Sequence, residues 1–144
     1  MAEAGAAIGA ASGLLTLTDA AIESGKWLYR VVKNFQRQPE ITGGLQEEVN
    51  SLIPVLRSYR QIIEENTIDL PTLKFPLQRC GQICEALVAI ITKCTAHSDG
   101  SRPSFRDSAR LTREGEEIAR LRDMLSAYKA TIIMAVNSAQ LYVS

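Results

Sequence analysis

The chain has 144 residues, the size of one ordinary domain, and its 46% hydrophobic and 22% charged composition is that of a globular protein able to bury a core without disulfides or metal. Sixteen basic and sixteen acidic side chains cancel, which excludes the broad positive field of a general nucleic-acid binder and leaves only local charge for recognition. Three cysteines, an odd number gathered at Cys80, Cys84 and Cys94, fit a reducing, cytoplasmic setting better than a disulfide framework.

The N-terminus carries Glu3 where a secretory leader would have basic residues, and the uncharged run Ala4–Thr18 is shorter than the roughly 20 residues that cross a bilayer. Neither a cleaved signal nor a committed membrane span is expected. The first apolar stripe is Ile8, Ala11, Leu15, Thr18, Ile22, Gly25, Tyr29 and Val32. Its alternating steps of three and four predict a long helix from about Ala4 to Phe35. Pro39 and the pair Gly43-Gly44 then predict a turn over 36–44.

A second stripe, Leu45, Val49, Leu52, Leu56, Tyr59 and Ile63, predicts the second helix, with a kink at Pro54 because proline removes one backbone bond. Asn66 to Phe75 reads as a loop. Leu77, Cys80, Cys84, Leu87, Ile91 and Cys94, widened by Ile83, Val88 and Ile90, predict a third helix buried on most of its circumference. The stretch from His97 to Pro103, with Asp99-Gly100, is a break. A short basic segment, Ser104 to Arg113, allows an extra short helix, and Ile118, Leu121, Leu125, Tyr128, Ile132, Ala135, Ala139 and Tyr142 predict a last helix running nearly to the end. No sustained alternation of period two appears. The expected fold class is all-α: one domain over 1–144, an up-down antiparallel bundle of four long helices.

Cys80, Cys84, Cys94 and His97 invite a zinc reading, but Cys80 and Cys94 on one straight helix stand about 21 Å apart, whereas zinc ligands must converge within about 2.3 Å of one ion. The cysteines read better as small buried hydrophobes. His97 falls at a helix end, where an imidazole can serve the last carbonyls, and no nucleophile accompanies it. The carboxylate pairs Glu47-Glu48, Glu64-Glu65 and Glu116-Glu117 read as solvated faces. No phosphate-binding loop or nucleophile elbow is present. No catalytic residue, metal site, cofactor or small-molecule substrate is expected, and the reading is a non-enzymatic contact domain.

Two features of the first helix suit contact. Gly5, Gly9 and Gly13 recur every fourth residue among alanines, which marks either close packing of another backbone or a weakly held helix able to leave the bundle. With Ile8, Leu14 and Leu15 they form the candidate insertion segment. Lys26, Arg30, Lys33 and Arg37 follow as a basic ridge beside Trp27, Leu28, Val31 and Phe35. Such a ridge suits an anionic lipid surface, or else is a solvated row paired with Glu23 or another helix. A second row, Arg102, Arg106, Arg110 and Arg113, has no assigned partner.

The opening Ile8-Gly9-Ala10-Ala11-Ser12-Gly13-Leu14-Leu15, then Phe35, Pro39, Leu45, Val49, Leu52, Val55 and Leu56, and the C-terminal Leu121, Leu125, Tyr128-Lys129 with Ile132 to Leu141, resemble the N-terminal helical domains of fungal NOD-like (STAND) and ankyrin-repeat proteins of the azaphilone pigment-cluster protein L type. These domains are similar to the HeLo and HeLo-like four-helix bundles of heterokaryon-incompatibility proteins. The resemblance implies an effector or adaptor domain of immunity or cell death, cytoplasmic and peripheral at the plasma membrane when active, with its first helix directed to anionic lipid. The competing expectation is a protein-interaction bundle that binds partner helices or self-associates without touching lipid.

Overall fold

The computed structural model describes residues 2–34, 39–66, 71–94 and 105–143, with side chains described over 13–34, 44–65, 72–94, 107 and 109–141. The elements are α1 (Ala2–Asn34), α2 (Pro39–Asn66), a single 3-10 turn (Pro71–Leu73), α3 (Lys74–Cys94), α4 (Phe105–Arg113) and α5 (Gly115–Val143). Among the described residues there is no strand. Four long helices and one short one make an all-α bundle, as the apolar spacing predicts.

Three of the four stripes are the buried faces. Leu45, Val49, Leu52, Leu56, Tyr59 and Ile63 of α2 are all buried, as are Leu77, Cys80, Cys84, Leu87, Ile91 and Cys94 of α3, and Ile118, Leu121, Leu125 and Ile132 of α5. The buried face of α1 is rotated from the expected stripe. Leu14, Ala21 and Leu28 lie in the core with Thr18, Ile22 and Val32, while Leu15 and Tyr29 are half-buried. Thr18 sits among apolar neighbours without cost to its hydroxyl, which donates to the Leu14 carbonyl one turn back at 2.6 Å.

Contacts fix the arrangement of the helices. Asp19 meets Arg60, and the position of Gly25 faces Ile53, so α1 and α2 run antiparallel. Gly81 lies against Ala21 and Ser24 Oγ reaches Glu85 at 3.5 Å, so α1 and α3 run parallel. In the same way Gly44 faces Arg122 and Ser51 bonds Lys129, which makes α2 and α5 parallel. Phe75 packs edge-on against Tyr128, and Cys94 shares a cavity wall with Glu114, which makes α3 and α5 antiparallel. Direction alternates along the chain as expected, but the neighbours around the bundle are α1, α2, α5 and α3 in turn, and the connection from α2 to α3 crosses the diagonal. The molecule is therefore two layers, α1 with α3 and α2 with α5, each internally parallel.

The turn expected over 36–44 is shorter than the sequence suggests, because α2 begins at Pro39. Proline is at home in the first helical turn, where its missing donor has no partner to lose. Gly44 has a packing reason to be helical: a Cβ there would stand 3.0 Å from Nη1 of Arg122, so its absence lets the Arg122 guanidinium lie across α2. Pro54 does not end α2, which continues to Asn66 with Pro54 on its exposed side. The α4 segment is helical as foreseen, and it joins α5 through Glu114 with helical bonding retained: Glu114 N–H donates to the Arg110 carbonyl and Ile118 N–H to the Glu114 carbonyl, both at 2.9 Å.

The α1–α3 layer makes two mutational predictions. A Cβ at Gly81 would meet the Ala21 backbone at 3.8 Å, ordinary contact, so Gly81→Ala should stabilise the fold by up to about 1 kcal/mol through helix propensity, whereas Gly81→Leu should lower stability by forcing the helices apart. Leu87→Ala, which empties a fully buried position of α3, should cost about 2–5 kcal/mol. Urea unfolding of the three variants measures all of this.

Candidate functional site

The outward face of α1 carries the contact residues that the sequence singles out. Trp27 is 49% exposed, and Arg30 and Lys33 are exposed beside it on the same helix. Lys26 turns towards α2 and holds a long ion pair with Glu23, 3.4 Å, in which both side chains are well solvated. Lys33 sits in the last turn of α1, where a cation suits the negative end of the helix dipole. Arg37 lies outside the described residues.

The structure separates the small-residue segment from this ridge. Gly13 is exposed, and a Cβ built on it would meet nothing within 4 Å, so among the described residues no backbone packs closely there. Leu14 is in the core at 4% exposure and Leu15 is half-buried. Gly5, Ile8 and Gly9 belong to α1, but their surroundings lie outside the described side chains. The glycine that does serve a close helix approach is Gly81 on α3. Isolated in its own helix, it carries no spacing pattern that could have flagged it.

Between α1 and α2 the ridge opens into a cleft of about 360 Å³. Lys26, Tyr29 and Arg30 line it from α1, and Asn50, Ile53, Pro54 and Arg57 from α2. Pro54 supplies no N–H to the Asn50 carbonyl, so this acceptor has no helical donor from that position. Arg57 lies off the apolar face of α2 in the sequence and carries no functional signal there, because no recurring basic row marks it. Further down the same seam the charges are matched: Arg60 Nε donates to Asp19 at 2.6 Å and its Nη1 to Glu64 at 2.7 Å. The hydrogen bond and charge of Asp19 hold the Arg60 guanidinium above its ordinary pKa.

A second cavity of about 330 Å³ lies where α3 meets α4 and the start of α5, lined by Ile90, Lys93, Cys94, Arg110, Arg113 and Glu114. Half of the second arginine row therefore faces a cavity; the surroundings of Arg102 and Arg106 lie outside the described residues. Asp107 of α4, which no sequence pattern distinguishes, is fully buried and occupies the first turn, where an acid complements the helix dipole. On the opposite seam, Lys129 of α5 lies 2.6 Å from Glu48 of α2 in a largely buried ion pair and donates to Ser51 at 2.8 Å. Glu48 is thus an interhelical partner, unlike the solvated face expected of the Glu47-Glu48 pair.

Cys80, Cys84 and Cys94 are all buried free thiols along α3, and among the described residues no cluster of three ligating groups is assembled. His97 lies outside the described residues. Burial pushes the Cys80 and Cys84 thiols up to about 12, with Cys80 and Glu85 adding to the effect at Cys84. Cys94 is raised by burial first and by Glu114 second. Low thiolate content makes these cysteines poor nucleophiles and fits their role as core atoms. No helix among the described residues is long and apolar enough to cross a membrane.

The thiols bring an alkaline limit to stability. A thiol whose folded pKa is raised keeps its proton in the native state while the unfolded chain loses it, so stability is intact below about pH 9 and falls as pH rises towards 12. Urea midpoints measured across that range should fall, and the slope should be shallower in Cys84→Ala than in the wild type.

No curated protein and no solved structure matches the chain significantly. The profile described as pigment biosynthesis cluster protein PigL N-terminal matches residues 5–144, across all the helices just described, and the chain belongs to that family.

Proposed function

We propose that this chain is a non-enzymatic effector or signalling domain of a fungal immune or cell-death protein, acting at anionic membrane through α1. The observation that carries the reading is the outer face of α1, where exposed Trp27 stands among Lys26, Arg30 and Lys33. An indole prefers the boundary between headgroups and acyl chains, and cations beside it are drawn to anionic lipid. Family membership supports a helical N-terminal domain that works alongside other domains. On this reading the domain is cytoplasmic and becomes peripheral at the plasma membrane when active.

The small-residue start of α1 has a place in the same reading. Among the described residues nothing lies within 4 Å of a Cβ built on Gly13, and a helical glycine costs up to about 1 kcal/mol, which favours release of the first turns on this reading. Leu14 is in the core, so its insertion into lipid requires those turns to leave the bundle first. Docking through the ridge and insertion through the first turns are therefore separate steps.

A second reading, a protein-interaction bundle without membrane activity, is favoured by Phe75, Ile133, Met134 and Leu141, which are exposed on α3 and α5. Met134 and Leu141 are 71% and 80% exposed, apolar area suited to a partner helix or a second copy.

Co-sedimentation with liposomes separates the two. The wild type should bind anionic vesicles at low salt and bind less as salt rises, since charges on the ridge are screened beyond about 10 Å at 0.1 M. Arg30→Glu with Lys33→Glu should weaken binding about 30-fold or more, two cations being worth about 1 kcal/mol each near such a surface. Absence of binding to either anionic or neutral vesicles at low salt would leave the interaction-bundle reading in its place.

A further inference from the structure

We propose that the α1–α2 cleft is a binding site for a phosphate monoester, gripped by Lys26 and Arg30 from α1 and Arg57 from α2. The lipid source of that group rests on the membrane reading of α1; the site itself does not.

Charge matching along the α1–α2 seam is the first argument. At Asp19, Arg60 and Glu64 each charge has an opposite partner within 2.7 Å. Around the cleft three cations converge and no carboxylate lines the wall. Among the described residues Arg30 and Arg57 make no ion pair, and Lys26 has only the 3.4 Å contact with Glu23, whose side chain is 69% exposed. Elsewhere the interhelical cation Lys129 is answered by Glu48 and the surface Arg120 by Glu117. Three like charges brought together across two helices repel one another, and an anion between them turns that repulsion into attraction.

The lining chooses the anion. A phosphate monoester carries about −1.5 to −2 at pH 7 with three acceptor oxygens, against −1 for a phosphodiester, so it neutralises more of the cationic cleft. Arginine forks bind phosphate oxygens in pairs, and two of the three cations here are arginines. The Asn50 side chain adds a neutral donor, while Ile53 and Pro54 give the cleft apolar walls. A volume of about 360 Å³ is enough for a phosphorylated headgroup. Lys33 lies outside the cleft and serves as the control for charge alone.

The test compares vesicles of neutral lipid doped with phosphatidate, a monoester, or phosphatidylglycerol, a diester, at matched surface charge. Wild type should partition at least about tenfold more strongly onto phosphatidate, whose greater charge and three acceptor oxygens give the arginine forks more to bind. Arg57→Gln, a change at an exposed position expected to leave the thermal melt unaltered, should erase the preference while weakening binding to phosphatidylglycerol no more than Lys33→Gln does. Lys33→Gln should weaken binding to both lipids alike. Equal partition of the wild type onto the two lipids, or an Arg57→Gln variant that keeps the preference, overturns the site. Should neither vesicle bind, the membrane reading fails and glycerol phosphate decides alone, followed by the backbone amide shifts of Tyr29 and Asn50. Saturating shifts that vanish in Arg57→Gln support a site for a soluble monoester; shifts that never saturate, or that persist in the variant, overturn it.

Discussion

Where Gly81 faces Ala21, α3 approaches α1 so closely that a methyl group added at Gly81 would touch the Ala21 backbone at 3.8 Å, and α2 and α5 pack against that parallel pair. Ala21 is 1% exposed and Gly81 has no side chain, so the two helices approach more closely than Leu-lined faces allow. After α1 the chain returns as α2, antiparallel beside it. The larger side chains of α2 and α5, Tyr59 and Leu125 among them, then fill the space in front of the layer. The diagonal passage from α2 to α3 is the topological result.

Two parallel layers also organise the charges. At one end of the bundle the C-termini of α1 and α3 stand side by side, and the last turns carry Lys33 and Lys93. The neighbouring layer presents the start of α5 there, and its first turn carries Glu116 and Glu117. Each sign opposes the helix dipole that it caps. Arg120 holds Glu117 by a hydrogen bond and keeps its carboxyl below the usual range. At the α1–α2 cleft, by contrast, Arg30 and Arg57 make no ion pair among the described residues, and Lys26 has only its long contact with Glu23.

The sequence reveals faces better than it reveals neighbours. Leu45 to Ile63 and Leu77 to Cys94 are buried at the predicted positions because a helix packed on two sides needs apolar residues at steps of three and four. On α1 the small residues blur that pattern: Ala21 and Ser24 are core-facing yet chemically neutral as signals, so the predicted face missed Leu14 and Leu28. The Gly43-Gly44 pair suggested a turn because glycine is read locally, while the guanidinium of Arg122 that uses Gly44 lies far along the chain. Lys26, Arg30 and Lys33 were legible as a row on one helix. Arg57 was not, since a cleft between two helices has no expression in the spacing of either.

Because the first helix finds its parallel partner so late in the chain, the order of synthesis matters. Ser24 and Glu85 are separated by 61 residues, and the face of α1 that packs on α3 has nothing to cover it until α3 has been made. During translation the first two helices can pair as a hairpin, leaving Leu28 and Ala21 bare on one side. Contacts of long sequence separation slow folding and lengthen such exposure. The nascent N-terminal half thus carries a bare apolar face, and the interval before α3 arrives is the time in which a chaperone competes with the native bundle.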